Sequence, residues 1–330
     1  MPDSWPRVQS LDAGMVMVVG DLHGDWDAYR RYRDTFLSLR AGGQADCWVL
    51  LGDLVHRESS PEADRSLEIV LDVMALRDEL PEAIIYLCGN HEVPHIYGFS
   101  LAKGRYEYSS RFEAALGQHR DDVIALFDSL PFYVRTRAGV AITHAGAPAE
   151  IVEPGNAPRL FNWSHRDLLE KADRILATQD VAALRRAYGR LNGLPYEKLA
   201  RHYLAVSGPD DPRYNDLLRG FIATEFNDEF GLVWAALFNR CEHDYGRVDY
   251  AIFLDALLAE LSRQFSPQEF LVAGHVRIKG GHQIVVDRHL RLASATNANP
   301  REAGEYLLFD AGQPVRSMRS LLKGLRRGFT

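Results

Sequence analysis

Five short blocks of this chain bring together residue types that bind hard cations. They are Gly20-Asp21-Leu22-His23-Gly24, Gly52-Asp53-Leu54-Val55-His56-Arg57, Gly89-Asn90-His91-Glu92, Thr143-His144-Ala145-Gly146 and Gly274-His275. Carboxylate and amide oxygens mixed with imidazole suit divalent Mn, Fe, Zn or Ni. Two such cations held about 3.5–4 Å apart can clamp a phosphate together with a bridging hydroxide. They also lower the pKa of the bound water, which makes a nucleophile at neutral pH. A carboxylate has to lie between them against their mutual repulsion, and Asp53 is the residue assigned to that place. Taken singly, Asp and Asn at a strand end are ordinary turn and cap residues, and a lone His is usually structural. Five blocks in order point instead to a two-cation site.

The elements around the blocks explain how they could converge. Met15–Val19 is a nearly continuous apolar run that stops at Gly20-Asp21; residues 47–51 stop at Gly52-Asp53, and 84–87 at Gly89-Asn90-His91. Such runs suit strands buried on both faces. Residues 25–39 and 61–80 between them read as helices, with Pro61 suited to a first turn. Strand, turn and helix in alternation predict a parallel α/β sheet, and ligands of such sheets bind beyond the carboxyl ends of the strands. Residues 132–137 and 139–143 read as a hairpin ending at His144, and 270–273 as a strand ending at His275. Residues 283–287, 290–295 and 306–309 read as closing strands. The stretch from about 160 to 265 is mostly helical in pattern, with breaks near 192–193, 207–212 and 241–246. Residues 316–327 are basic and lack acids; they read as a surface helix or frayed tail, or as a contact for an anionic partner.

Together the blocks resemble the metal-binding signature of calcineurin-like metallophosphoesterases, most closely the phosphoprotein (serine/threonine) phosphatase branch and its bacterial relatives. The resemblance covers roughly residues 15–145 and 270–295. It implies an α/β fold, a four-layer α/β/β/α sandwich of two mixed sheets. Residues 1–330 then form a single domain, with a core at 15–150 and 268–312 and a helical insertion at about 160–266. It also implies that Asp21, His23 and Asp53 hold one metal and that Asp53, Asn90, His144 and His275 hold the second. His91 would protonate the leaving oxygen and Arg57 would contact the phosphate. Trp163-Ser164 is similar to an element of the same phosphatases, and Arg240 is a looser candidate for a second phosphate contact.

The chain departs from that pattern in the phosphate-handling residues. His56-Arg57-Glu58 stands where the family commonly has Asp-Arg-Gly, so the carboxylate that would orient His91 is replaced. Cys88 stands where an Arg often precedes Gly-Asn-His-Glu, and a thiol does not substitute for a bidentate guanidinium. Ala145 replaces the first Gly of His-Gly-Gly. The metal ligands are spared throughout. Tyr97, Phe99, Tyr106 and Tyr108 form an aromatic-rich segment that fits either a pocket wall or core packing. The expected activity is two-metal hydrolysis of a phosphomonoester, with a phosphorylated protein ahead of a small phosphoester as substrate. The alternatives are a nucleotide substrate, either a dinucleoside polyphosphate or a cyclic nucleotide, and a metal-binding phosphate sensor without turnover.

Bulk properties agree with these expectations. The chain has 330 residues, of which 46% are hydrophobic and 25% charged, which is ordinary for a folded soluble protein. A formal net charge of -7 disfavours nucleic-acid binding through whole-molecule charge. Three cysteines, Cys47, Cys88 and Cys241, lack Cys-x-x-Cys spacing and read as reduced, in the cytoplasm. No apolar run approaches the roughly 18–20 residues of a membrane span, and the start of the chain lacks a signal-peptide layout.

Overall fold

The computed structural model describes residues 5–57, 61–103 and 106–329. Glu58 and the Tyr106 side chain lie outside the described residues. The chain forms two compact units: Met1–Asn90, Leu130–Trp163 and Leu232–Thr330 make the first, and His91–Ser129 with Ser164–Gly231 the second.

The first unit is built on two mixed sheets. In one, the strands Met15–Val19, Cys47–Leu50 and Ile84–Tyr86 run parallel in that order, as the apolar runs predict. Glu305–Asp310 adds antiparallel to Met15–Val19, and Leu325–Arg327 adds antiparallel beyond it. The second sheet has the order Val8–Leu11, Tyr133–Thr136, Val140–Thr143, Phe270–Ala273, His289–Leu292, His282–Val286. Alternate residues of both sheets meet in one core, among them Val16, Val18 and Val49 from the first and Val140, Ile142 and Val272 from the second. This follows from the two-residue period of a strand.

The opposite face of each sheet is covered by helices. Trp48 points away from the shared core and stacks on Tyr29 and Phe36 of the helix Trp26–Ala41, with ring centroids at 5.9 and 5.6 Å. On the second sheet the helix Gly246–Ser262 packs against Phe270–Ala273 and His282–Val286. The layers of this unit therefore run helix, sheet, sheet, helix.

Two local expectations need correction, and one strand had not been anticipated. The segment at 61–80 is not one helix: a 3-10 turn spans Pro61–Ala63 and the α-helix starts at Ser66. The cause is Asp64, whose carboxylate accepts from the Ser66 N–H and hydroxyl, a side-chain bond that competes with a continuous helix. The basic stretch near the C-terminus is neither frayed nor only a surface helix. Met318–Leu322 is a helix that buries Met318 and Leu321, and Leu325–Arg327 is a sheet strand. The strand Val8–Leu11, which pairs parallel with Tyr133–Thr136, had no clear pattern in the sequence.

The second unit is mainly helical. It includes Ser109–Leu116, His165–Leu176, Val181–Leu191, Tyr196–Leu204 and Asp216–Glu225. Ser164 and Asp180 cap two of these, each accepting from the backbone N–H three residues on. His165 is buried here against Tyr97, whose hydroxyl lies 2.9 Å from its Nδ1. Glu113 joins His95, at 2.7 Å, to Arg120, at 3.1 Å. Among the described residues no helix is long and apolar enough to cross a membrane.

Candidate metal centre

Three of the strands that end in a block are followed by a polar residue in a sharp turn. His23, Asp53, His56 and His275 all have left-handed backbone, with φ between 44° and 70°. Among the described residues only two other non-glycine residues do, Ala205 and Gln264. Such backbone costs on the order of 1–3 kcal/mol per residue and collects at functional sites. Two glycines make the close approach possible. A Cβ on Gly52 would lie 2.6 Å from the Gly89 nitrogen, and one on Gly274 would lie 2.2 Å from Asp21 Oδ1.

The turns bring Asp21, His23, Asp53, Asn90, His144 and His275 together. All but His275 are buried, and His275 is partly so. Asp53 Oδ2 stands between two imidazoles, 3.7 Å from His23 Nε2 and 3.6 Å from His144 Nε2. His144 Nε2 also lies 3.0 Å from Asn90 Oδ1 and 3.1 Å from His275 Nδ1. Asp21 Oδ2 is 4.0 Å from His23 Nε2. The opposite nitrogen of His144 donates to the Leu51 carbonyl at 2.8 Å. A carbonyl can only accept, so Nδ1 carries the proton and Nε2 presents a bare lone pair. Burial is the main force keeping His144 neutral, pushing it down to about 3, with His23 and Arg291 adding to it. Burial, then His144 and Arg291, lowers His275 well below the usual imidazole range.

This donor set fits divalent cations. Asp53, His144 and His275 each offer one donor atom, all within 4.8 Å of one another. Neutral imidazole and carboxylate are the protonation states that coordination requires.

Several supports were not visible in the sequence. The Asn297 amide donates to Asp21 Oδ2 at 2.6 Å. Arg291 is buried on the outer face of the second sheet, where its guanidinium donates to the carbonyls of Ala145 and Gly274. It thereby ties together the turns that carry His144 and His275. Glu242 holds Arg291 from the other side, at 3.0 and 2.5 Å. The Tyr250 hydroxyl bonds His289 Nδ1 at 2.7 Å and accepts from the Ala147 N–H at 3.3 Å. No spacing rule marks these residues, because each acts through a contact between distant segments.

The remaining candidates are placed as follows. Arg57 lies 3.4 Å from Asp25, and among the described residues its buried Nε–H has no hydrogen-bond partner. Asp25 caps the helix Trp26–Ala41 and is also gripped by Arg301 at 2.7 and 3.0 Å. Burial alone would push the Asp25 carboxyl up, but the Arg301 and Ala28 hydrogen bonds and the Arg301 and Arg57 charges hold it low. His56 is buried, and its N–H donates to Ser66 Oγ at 2.8 Å. Cys88 is fully buried. Arg240 is exposed at the start of the short helix Cys241–Asp244. His91 opens the second unit, where its ring lies 5.8 Å from that of Tyr108.

The chain is similar in sequence and in fold to several known proteins. A serine/threonine-protein phosphatase of Caenorhabditis elegans is 27% identical over 144 residues, 42% of this chain. The match spans 28% of that relative's length. Among solved structures, a serine/threonine phosphatase from Saccharomyces cerevisiae with similarity to human phosphatase PP5 aligns at 16% identity and a TM-score of 0.47. That alignment covers 92% of this chain and 76% of the yeast chain. A cold-active protein-tyrosine phosphatase of a Shewanella species aligns at 16% identity and a TM-score of 0.48, covering 94% of this chain and 78% of that one. The profile of the calcineurin-like phosphoesterase family matches residues 14–230. It takes in every block except Gly274-His275, which the fold alone delivers to the site. With that match running over more than half of its length, this chain belongs to the calcineurin-like phosphoesterase family.

Proposed function

We propose that this metal-dependent phosphoesterase hydrolyses phosphomonoesters, with phosphoserine and phosphothreonine side chains of proteins as its main substrates. The observation that carries the reading is the position of Asp53. One buried carboxylate oxygen lies within 3.7 Å of imidazole nitrogens from two different turns, His23 and His144. A carboxylate so placed would suit a ligand shared by two cations.

In this reading Asp21, His23 and Asp53 hold one divalent cation, drawn from Mn, Fe, Zn or Ni. Asp53, Asn90, His144 and His275 hold the other. When bound, the cations supply Lewis acidity toward the phosphate and an acidified water at neutral pH. The chain's own residues position and neutralise. The Leu51 carbonyl fixes the His144 tautomer, as outer partners of coordinating histidines do. Arg57 contributes positive charge and a buried Nε–H with no acceptor among the described residues, which suits a phosphate oxygen. His91, next in the chain to Asn90, donates a proton to the departing oxygen. Three buried cysteines that form no disulfide suit work in a reducing, cytoplasmic compartment.

The test is hydrolysis of p-nitrophenyl phosphate, its bis-ester, a phosphopeptide, a diadenosine polyphosphate and a cyclic nucleotide. Metal-stripped protein would be assayed with Mn, Fe, Zn or Ni restored, beside an Asp53→Asn control. Preferred turnover of the monoesters, lost in the control, supports the proposal. Preference for a nucleotide would replace the substrate class, and silence with every metal would sink the reading as a whole.

A further inference from the structure

The helix Val181–Leu191 in the second unit carries Arg185, Arg186 and Arg190 and no acidic residue, in a chain whose net charge is -7. One of its sides faces a solvent-open groove of about 720 Å³, lined by these three arginines together with Pro195, Tyr196 and Tyr214. Gly189 lets the backbone of Leu194 approach the helix at one end of the groove, since a Cβ there would lie 2.8 Å from the Leu194 carbonyl oxygen.

Arg185 is set in place by neutral partners. Its guanidinium donates to Asn215 Oδ1 at 2.9 and 2.8 Å and lies over the Tyr214 ring at 4.8 Å and the Tyr196 ring at 5.9 Å. These contacts fix the group and leave its charge uncompensated. Arg186 and Arg190 are exposed. Among the described residues none of the three has a carboxylate within ion-pair distance, whereas arginines elsewhere in this unit, such as Arg120, Arg201 and Arg219, do.

The neighbouring side of the same helix is apolar. Leu184, Tyr188 and Leu191 face Leu218, Phe221 and Phe226 across a second groove of about 230 Å³. Leu191 and Phe226 are 70% and 69% exposed, and Leu194 is 50% exposed beside them. Large apolar side chains left in water next to a rim of polar residues mark an interaction site. A small ligand would be largely enclosed by its pocket, but here the arginine-lined groove is open to solvent and the two grooves flank one helix. The shape suits a chain segment laid across it.

We propose that this helix docks an acidic peptide segment that also carries a large apolar side chain, located outside the phosphorylated residue of a protein substrate. The proposal rests on the phosphoprotein reading above. The segment's carboxylates meet Arg185, Arg186 and Arg190, and its apolar side chain covers Leu191 and Phe226.

Two phosphopeptides with the same phosphorylated sequence test it, one with an Asp/Glu- and Leu-containing extension and one with a neutral extension. They are compared on the metal-loaded full chain and on its Arg186→Glu/Arg190→Glu variant. The expected result is a KM for the acidic peptide raised about tenfold in the variant. Its kcat, the KM of the neutral peptide and p-nitrophenyl phosphate turnover stay unchanged. An unchanged KM for the acidic peptide, or an equal rise for both peptides, overturns the proposal. If the parent protein turns over no ester at all, the functional reading fails separately. Docking is then read from fluorescence anisotropy of the unphosphorylated acidic peptide on the full chain: binding that the variant loses supports it, and no binding or equal binding overturns it.

Discussion

The backbone N–H of His275 donates to both carboxylate oxygens of Asp21, at 3.1 and 2.9 Å, across 254 positions of sequence. This bond links the end of the Phe270–Ala273 strand in one sheet to the end of Met15–Val19 in the other. It depends on Gly274, where any side chain would enter the Asp21 carboxylate. Gly274→Ala is therefore expected to move Asp21 or break the bond, at a cost of about 1–3 kcal/mol. The measurements are the melting temperature and Mn affinity by calorimetry, both expected to fall. An unchanged Mn affinity would show that the bond does not govern the site.

Asp53→Asn removes charge from a buried carboxylate flanked by imidazoles of two turns. Elemental analysis should find fewer than two bound cations per chain. Turnover of p-nitrophenyl phosphate should drop by more than ~100-fold, beyond the usual loss from an outer-partner mutation. A variant that keeps both cations and full activity would remove Asp53 from the bridging place.

Arg291 and Glu242 separate stability from metal binding. Arg291→Met alone leaves Glu242 buried without its cation and should destabilise by roughly 3–5 kcal/mol. Arg291→Met/Glu242→Leu removes both charges and should recover most of the melting temperature. It does not restore the donors to the Ala145 and Gly274 carbonyls, so metal affinity should stay down by ~10–100-fold. Recovery of both properties together would reduce Arg291 to a packing role.

Arg57→Ala should raise KM for p-nitrophenyl phosphate by about tenfold or more, the scale of one charge-assisted hydrogen bond. The melting temperature should barely move, because Arg301 still holds Asp25. Kinetics beside a thermal melt check this, and an unaltered KM would remove Arg57 from the phosphate contact.

Asp216 gives a pH signature in the second unit. Burial pushes its carboxyl up to about 6, with the charges of Arg219, Arg120 and Arg213 offsetting only part of the effect. The unfolded chain then ionises at lower pH than the folded one. Stability from this group is full below about pH 4 and is lost as pH rises through about 6. Asp216→Asn should raise the melting temperature at pH 7, by on the order of 1–3 kcal/mol in free energy, and change nothing near pH 4. The reverse pattern would mean that the carboxylate is stabilised when charged.

The sequence by itself determined the strands that end in the blocks and their chemical endings. Apolar runs that stop at Gly20-Asp21, Gly52-Asp53, Gly89-Asn90 and Gly274-His275 are local signals, and the structure delivers those residues to one place. Helix starts were legible for the same reason, as at Asp25, because a cap is made within three residues. The break at Asp64 was missed because a side-chain bond spanning two residues outweighed the pattern of the surrounding stretch. Only the tertiary structure decided that Leu325–Arg327 pairs with Glu305–Leu307, that Asn297 and His275 hold Asp21, and that Arg291 ties two turns of the site together. These contacts join segments up to 276 positions apart. Their existence depends on the order and register of the strands, and a pattern that repeats every two or four residues carries no information about either.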